Sequence, residues 1–195
     1  TTSGYHQHCD CGTFVLDLMG TRWAEDLGRD EYNLQNVLGY NDKDIYRKRA
    51  EAHNVLVLNP ANYGNSFEMK SGQFAPIIDA QSNDYSGFVT ANLDDVYNEA
   101  SKMKLGYFLD ENLNSLTVRN EFTVAEDTEA MWSFITMADI TIEDNIAYLY
   151  KDGKSVKLEF ISTDKNAKWE EMEAKPLPTS PQTPEQTKNG GFKKW

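Results

Sequence analysis

The sequence is poor in the residues that several common functions depend on. It carries only 2 cysteines, Cys9 and Cys11. A CxC pair is poorly placed for a disulfide and lacks the spacing of a zinc ribbon. No apolar run approaches the roughly 18 residues of a membrane span, so no membrane partner is expected. Basic residues are outnumbered, with 19 Lys and Arg against 31 Asp and Glu and a formal net charge of −12. Nucleic-acid backbones are held by clustered cations that neutralise phosphates, so a broad nucleic-acid footprint is excluded, although one local cationic groove is compatible with a polyanion. Proline is scarce, and four of the 6, Pro176, Pro178, Pro181 and Pro184, sit close together near the end. The first residue is Thr1 rather than Met, and no apolar signal core follows it. The chain is therefore expected to be a piece of something longer.

What is present suffices for one domain. A chain of 195 residues with 39% hydrophobic side chains can bury a substantial core. Short runs rich in Val, Ile, Phe, Tyr and Thr recur about every ten residues between Asn, Asp and Gly: TFVLDLM, HNVLVLN, FAPIID, SGFVTANL, KLGYFLD, SLTVRNEFTV, AMWSFITMA and IAYLYKDGKSVKLEFI. That spacing predicts an all-β, antiparallel sandwich or barrel. YKDGKS, Tyr150 to Ser155, centres on an Asp-Gly hairpin signal. The sandwich is expected over residues 1–165, and 166–195 is expected as a Pro-rich connector ending in the start of a further strand. Asp30 to Ala52 reads as a long, polar excursion with one helical turn, and such loops are often functional.

All 3 histidines, His6, His8 and His53, lie in the first 53 residues. In an extended strand, positions i, i+2 and i+4 share a face, so His6, His8 and Asp10 point one way. Such a surface suits either zinc ligation by neutral imidazole or proton exchange with a substrate, and packed or surface polar residues are the plain alternative. Spacing alone does not choose among them.

A longer pattern does. HxHxDxG at His6 to Gly12 is followed by RWAEDLGRDEY at Arg22 to Tyr32 and RKRAEAHNVLVLN at Arg47 to Asn59, and more faintly by VTANLDDVY at Val89 to Tyr97. In this order the blocks resemble the heparinase II/III-like polysaccharide lyases, in the β-sandwich region that follows their α/α toroid of helices. The resemblance covers Tyr5 to about Ile161. It implies cleavage of a uronic-acid-containing polysaccharide, glycosaminoglycan or alginate, by β-elimination. It also implies a zinc ion held by His8, Asp26 and His53 that braces the site, and a catalytic role for His6 as base or charge neutraliser. The remaining catalytic groups would come from the toroid, which this sequence lacks, so the chain alone is expected to be inactive. Expected partners are an acidic polysaccharide and that N-terminal toroid domain, a homodimer is compatible with this, and the expected location is periplasmic or secreted.

Other residues have plainer readings. Asp10 is expected to be structural or to orient a ligand, and Cys9 and Cys11 to behave as small buried hydrophobes. Arg47, Lys48 and Arg49 form a compact basic cluster near His53. The cluster is read first as a solvated loop, with Arg47 and Arg49 as candidate contacts for a sugar carboxylate or sulfate in the second reading. Trp23 is expected in the core, and Tyr32, Tyr40 and Tyr46 are candidate sugar-stacking faces. A noncatalytic carbohydrate-binding or accessory sandwich is the alternative function, and a stand-alone zinc hydrolase would need a base beside a metal-bound water.

Overall fold

The computed structural model describes residues 7–34, 44–60, 69–70, 73–111 and 114–194. The described residues form fourteen strands and every pairing between strands is antiparallel, as the recurrent β-forming runs predict. β1 (Leu16–Leu18) and β2 (Thr21–Ala24) make a hairpin closed by Met19 and Gly20, with φ of 56° and 72°. Two consecutive positive φ values match the right-handed twist of the flanking strands. β3 (Leu56–Leu58) pairs with β8 (Ala130–Trp132). β4 (Ile77–Ser82), β5 (Gly87–Asn92), β6 (Ala100–Leu109) and β7 (Leu116–Val124) form a four-stranded meander.

A second meander follows. It consists of β10 (Asp139–Glu143), β11 (Ile146–Lys151) and β12 (Lys154–Glu159). The Asp-Gly signal is realised as the two-residue turn between β11 and β12, with φ of 54° at Asp152 and 70° at Gly153.

Two apolar cores result. In one, Leu105, Met103 and Tyr107 of β6 and Val118 of β7 pack on Leu56, Val57 and Leu58 of β3, with Cys11 beneath. In the other, Trp23 and Ala24 of β2 pack on Ala147 and Leu149 of β11. Trp132 of β8 touches both clusters and joins them. The four-stranded sheet and the smaller sheets thus face each other across buried apolar side chains, as in a sandwich.

The last thirty residues fold back onto this body. β13 (Met172–Glu173) and β9 (Ile135–Thr136) flank β14 (Lys193–Lys194), which is the middle strand of their sheet. Between β13 and β14 the chain is largely irregular, and its polar groups bond to residues 30 and 44–51. The Leu177 N–H donates to the Glu51 carboxylate at 3.2 Å, the Thr183 hydroxyl to the Asp44 carbonyl at 2.7 Å and the Thr187 hydroxyl to the Asp30 carboxylate at 2.6 Å. The segment expected as a connector is therefore laid along the excursion that leads to His53.

Candidate functional site

Three separate segments meet at one place. The first carries His8. Its backbone is held where the Cys9 N–H donates to the Lys48 carbonyl at 2.7 Å, and it turns sharply where the Thr13 N–H donates to the Asp10 carbonyl at 2.8 Å. Gly12, with φ of +84°, makes this turn possible, and its carbonyl accepts a hydrogen bond from the Tyr107 hydroxyl of β6. Burial pushes the Tyr107 hydroxyl pKa well above its usual range, so it acts as a fixed donor.

The second segment carries His53. Two short 3-10 turns, Tyr46–Lys48 and Ala50–Ala52, lead into it, and the His53 N–H donates to the Ala50 carbonyl at 3.0 Å before the chain extends into β3. The third carries Asp26, just past the end of β2. One carboxylate oxygen of Asp26 accepts the Gly28 N–H at 2.7 Å, an Asx turn that fixes the side chain.

The His8 and His53 ring centroids lie 5.2 Å apart, tilted by 46°. His53 Nδ1 is 3.3 Å from Asp26 Oδ2, and His53 is 1% exposed whereas Asp26 is 37% exposed. With the proton on Nδ1, the ring donates to Asp26 and leaves a lone pair on Nε2. That Nε2 is buried and has no hydrogen-bond partner among the described residues. The hydrogen bond from His53 outweighs the opposing effect of burial and, with the Gly28 N–H, holds the Asp26 carboxyl at about 2. His8 is pushed below its ordinary value by burial first, then by the charge effects of His53 and Lys48, against the pull of Asp10 and Asp26.

The residue types gathered here are those found in zinc sites. Among the described residues no three or more His, Cys, Asp or Glu side chains converge closely enough to hold an ion as they stand. The donor set of two imidazoles and a carboxylate is nevertheless one that zinc prefers. A buried imidazole nitrogen with nothing to bond is the kind of atom a metal satisfies. His8, Asp26 and His53 are the residues that would hold such an ion, which would tie their three segments together.

Asp26 gives the metal-free protein a pH signature. Its folded pKa of about 2 lies below the ordinary carboxylate value, so its contribution is fully present above the unfolded value of 3.8 and is lost as pH falls through about 2. An acid titration of stability should therefore be flatter across that window in Asp26→Asn than in the parent. Parallel curves would show that the His53 contact does not form in solution.

Other candidates from the sequence are placed as follows. His6 and Tyr40 lie outside the described residues. Arg47 directs its guanidinium to the Asn189 side chain at 2.7 Å and the Arg29 carbonyl at 2.8 Å. Arg49 is buried against Glu51, with Nε to Oε1 at 3.0 Å. The solvated-loop reading fails for Lys48 and Arg49, which are 6% and 3% exposed. Tyr46 is buried, Tyr32 is exposed with the Arg29 guanidinium 4.4 Å from its ring centre, and Trp23 and Cys11 are core residues. Sequence reasoning passed over Asn54 and Glu51, both fully buried polar residues of this site region. A polar residue directly after a motif histidine and before a continuous apolar run was the available signal for Asn54.

Residues 1–176 match the family described as heparinase II/III-like, C-terminal. The chain belongs to that family. This makes it a member of a polysaccharide lyase family through the C-terminal domain. Its fold is similar to the crystal structure of a heparan sulfate lyase HepC mutant from Pedobacter heparinus, with a TM-score of 0.64 and 15% identity. The likeness covers 81% of this chain and 24% of that one, so the chain spans about a quarter of that lyase. No curated protein matches the chain. His8, Asp26 and His53 all fall inside the family match, whereas the segment from 177 onward, which braces the approach to His53, falls outside it.

Proposed function

We propose that this chain is the β-sandwich part of a lyase that cleaves uronic-acid-containing polysaccharide, glycosaminoglycan or alginate, and that it acts in the periplasm or outside the cell together with an N-terminal α/α toroid domain. The observation that supports this best is the meeting of His8, Asp26 and His53, from three separate segments, in a chain whose residues 1–176 match the family.

In β-elimination the proton on C5, beside the uronate carboxylate, is removed, a C4–C5 double bond forms, and the C4 oxygen leaves and takes a proton. The C5 proton is too weakly acidic to leave unaided near neutral pH, so the base must work with groups that stabilise the enolate-like charge. His6 is the residue proposed to act on the sugar, as base or charge neutraliser. His6 lies two positions before His8 in the sequence, and the division of labour proposed is that one imidazole serves the metal while the other meets substrate. A bound zinc would brace the site by fixing His8, Asp26 and His53 against one another.

Elemental analysis and an activity assay test this together. Purified chain should contain about one zinc, and alanine at His8, Asp26 or His53 should remove it and lower the melting temperature, because the metal stabilises only the folded state. The chain alone should give no unsaturated uronate absorbance with alginate or heparan sulfate. In the full-length enzyme His6→Ala should cut the rate about a hundredfold or more with zinc retained. Robust turnover by the chain alone would remove the need for the toroid, and zinc loss in His6→Ala would make His6 a ligand. Polysaccharide binding with unchanged behaviour in His6→Ala would instead indicate a noncatalytic binding module.

A further inference from the structure

Asn54 follows His53 directly and is 1% exposed. Its side-chain amide reaches the backbone of three other segments: Nδ2 donates to the Phe14 carbonyl at 2.8 Å and the Glu25 carbonyl at 2.9 Å, and Oδ1 accepts the Ile135 N–H at 2.7 Å. Its own backbone N–H donates to the Thr13 hydroxyl at 3.2 Å. Ile135 closes the arrangement, because its carbonyl accepts the Glu25 N–H at 2.8 Å.

The positions of these partners matter more than their number. Glu25 immediately precedes Asp26, Thr13 and Phe14 follow the turn that ends the His8 segment, and Asn54 itself adjoins His53. One planar amide thus ties together the backbones of the three segments that supply the proposed zinc ligands. The task needs two donors and an acceptor in a fixed fork, which among side chains of this size only Asn provides. Aspartate would aim oxygen at two carbonyls, and alanine or leucine would leave all three backbone groups unpaired.

We infer that Asn54 is the positioning residue of the His8–Asp26–His53 cluster, its amide setting how the three side chains are spaced and hence how tightly they hold a divalent cation. It acts through the backbone of its neighbours and does not touch the ion. This rests on the zinc reading above. Groups that orient metal ligands from behind typically govern affinity by about ten- to a hundredfold.

The test is zinc titration of the 195-residue chain against a competing chelator, with a thermal melt of the metal-free protein beside it, for the parent, Asn54→Ala, Asn54→Asp and Leu149→Ala. Leu149 is fully buried in the core between β2 and β11 and serves as a stability control. All three variants should melt earlier, but only the two Asn54 variants should bind zinc about ten- to a hundredfold more weakly. Zinc affinity in both Asn54 variants no weaker than in Leu149→Ala would overturn the inference while leaving the metal reading intact. A parent that takes up no zinc would overturn the metal reading and this inference with it. If neither Asn54 variant folds, the side-chain amide resonances of Asn54 in the parent decide: they should resist exchange and shift on adding zinc, and resonances that stay in place would overturn the inference.

Discussion

Replacing Gly12 with alanine should destabilise the protein by roughly 2–4 kcal/mol, the sum of a left-handed backbone penalty and an overpacked core. The φ of +84° alone strains any residue with a Cβ. The new methyl would also sit 2.3 Å from Leu105 Cδ2, and Leu105 is 5% exposed on the inner face of the four-stranded sheet. A flexible tip could swing aside on a surface, but here it must displace Leu93, Met103 or another close-packed neighbour in the same cluster. Because the Gly12 carbonyl is also the acceptor for Tyr107, the strain passes directly into the segment that presents His8. Denaturant unfolding measures the loss, and Gly12→Ala combined with Leu105→Ala should recover the overpacking part while keeping the backbone part. A single variant within 0.5 kcal/mol of the parent would mean that this turn is not formed as described.

Glu51→Ala should be costlier, about 3–5 kcal/mol, the scale seen when one partner of a buried ion pair is removed. Glu51 is 0% exposed and Arg49 3% exposed. The Glu51 carboxylate has two duties, since one oxygen accepts Arg49 Nε at 3.0 Å and the other the Leu177 N–H at 3.2 Å. Deleting it removes this counter-charge from a buried guanidinium and one of the hydrogen bonds that hold the returning tail. Glu51→Gln keeps an acceptor for Leu177 and should fall between the parent and Glu51→Ala. Chemical denaturation of both, with Arg49→Ala as the other corner of a double-mutant cycle, should yield a coupling of a few kcal/mol. A coupling below 0.5 kcal/mol would show that the pair is solvated.

The strands were legible because their signal is local. Each β-forming run contains at least part of a strand, and in β12 the alternation of half-buried and exposed residues follows the period of two. The Asp152-Gly153 turn was legible for the same reason: φ above zero at two adjacent positions selects the residues that tolerate it. What stayed hidden depends on partners far along the chain. A run of Arg47, Lys48 and Arg49 resembles a solvated surface until Glu51 is seen to neutralise Arg49 inside the protein. The short β13 has no pattern of its own and is a strand only because β14 lies beside it, whereas β14 lies in the stretch expected to begin a further strand. In the site, the family pattern brought His8, Asp26 and His53 to attention, and their proximity is visible only in three dimensions. The place of Asn54 after the motif histidine could single it out, but its role lies in carbonyls contributed by Phe14 and Glu25, which only the fold brings to it.

The central place of β14 in its sheet also bears on how the chain acquires its structure. Lys193 pairs with Thr136, and Thr187 bonds to Asp30 across a separation of 157 residues. Contacts this distant in sequence require large loops to close before they contribute, which slows folding relative to a protein built from neighbouring strands. During synthesis the two meanders can assemble as soon as they clear the ribosome, whereas the sheet of β9, β13 and β14 must wait until residue 194 has emerged. Until then Ile135, fully buried in the finished protein, lies at an unpaired strand edge of the kind that can pair with another chain.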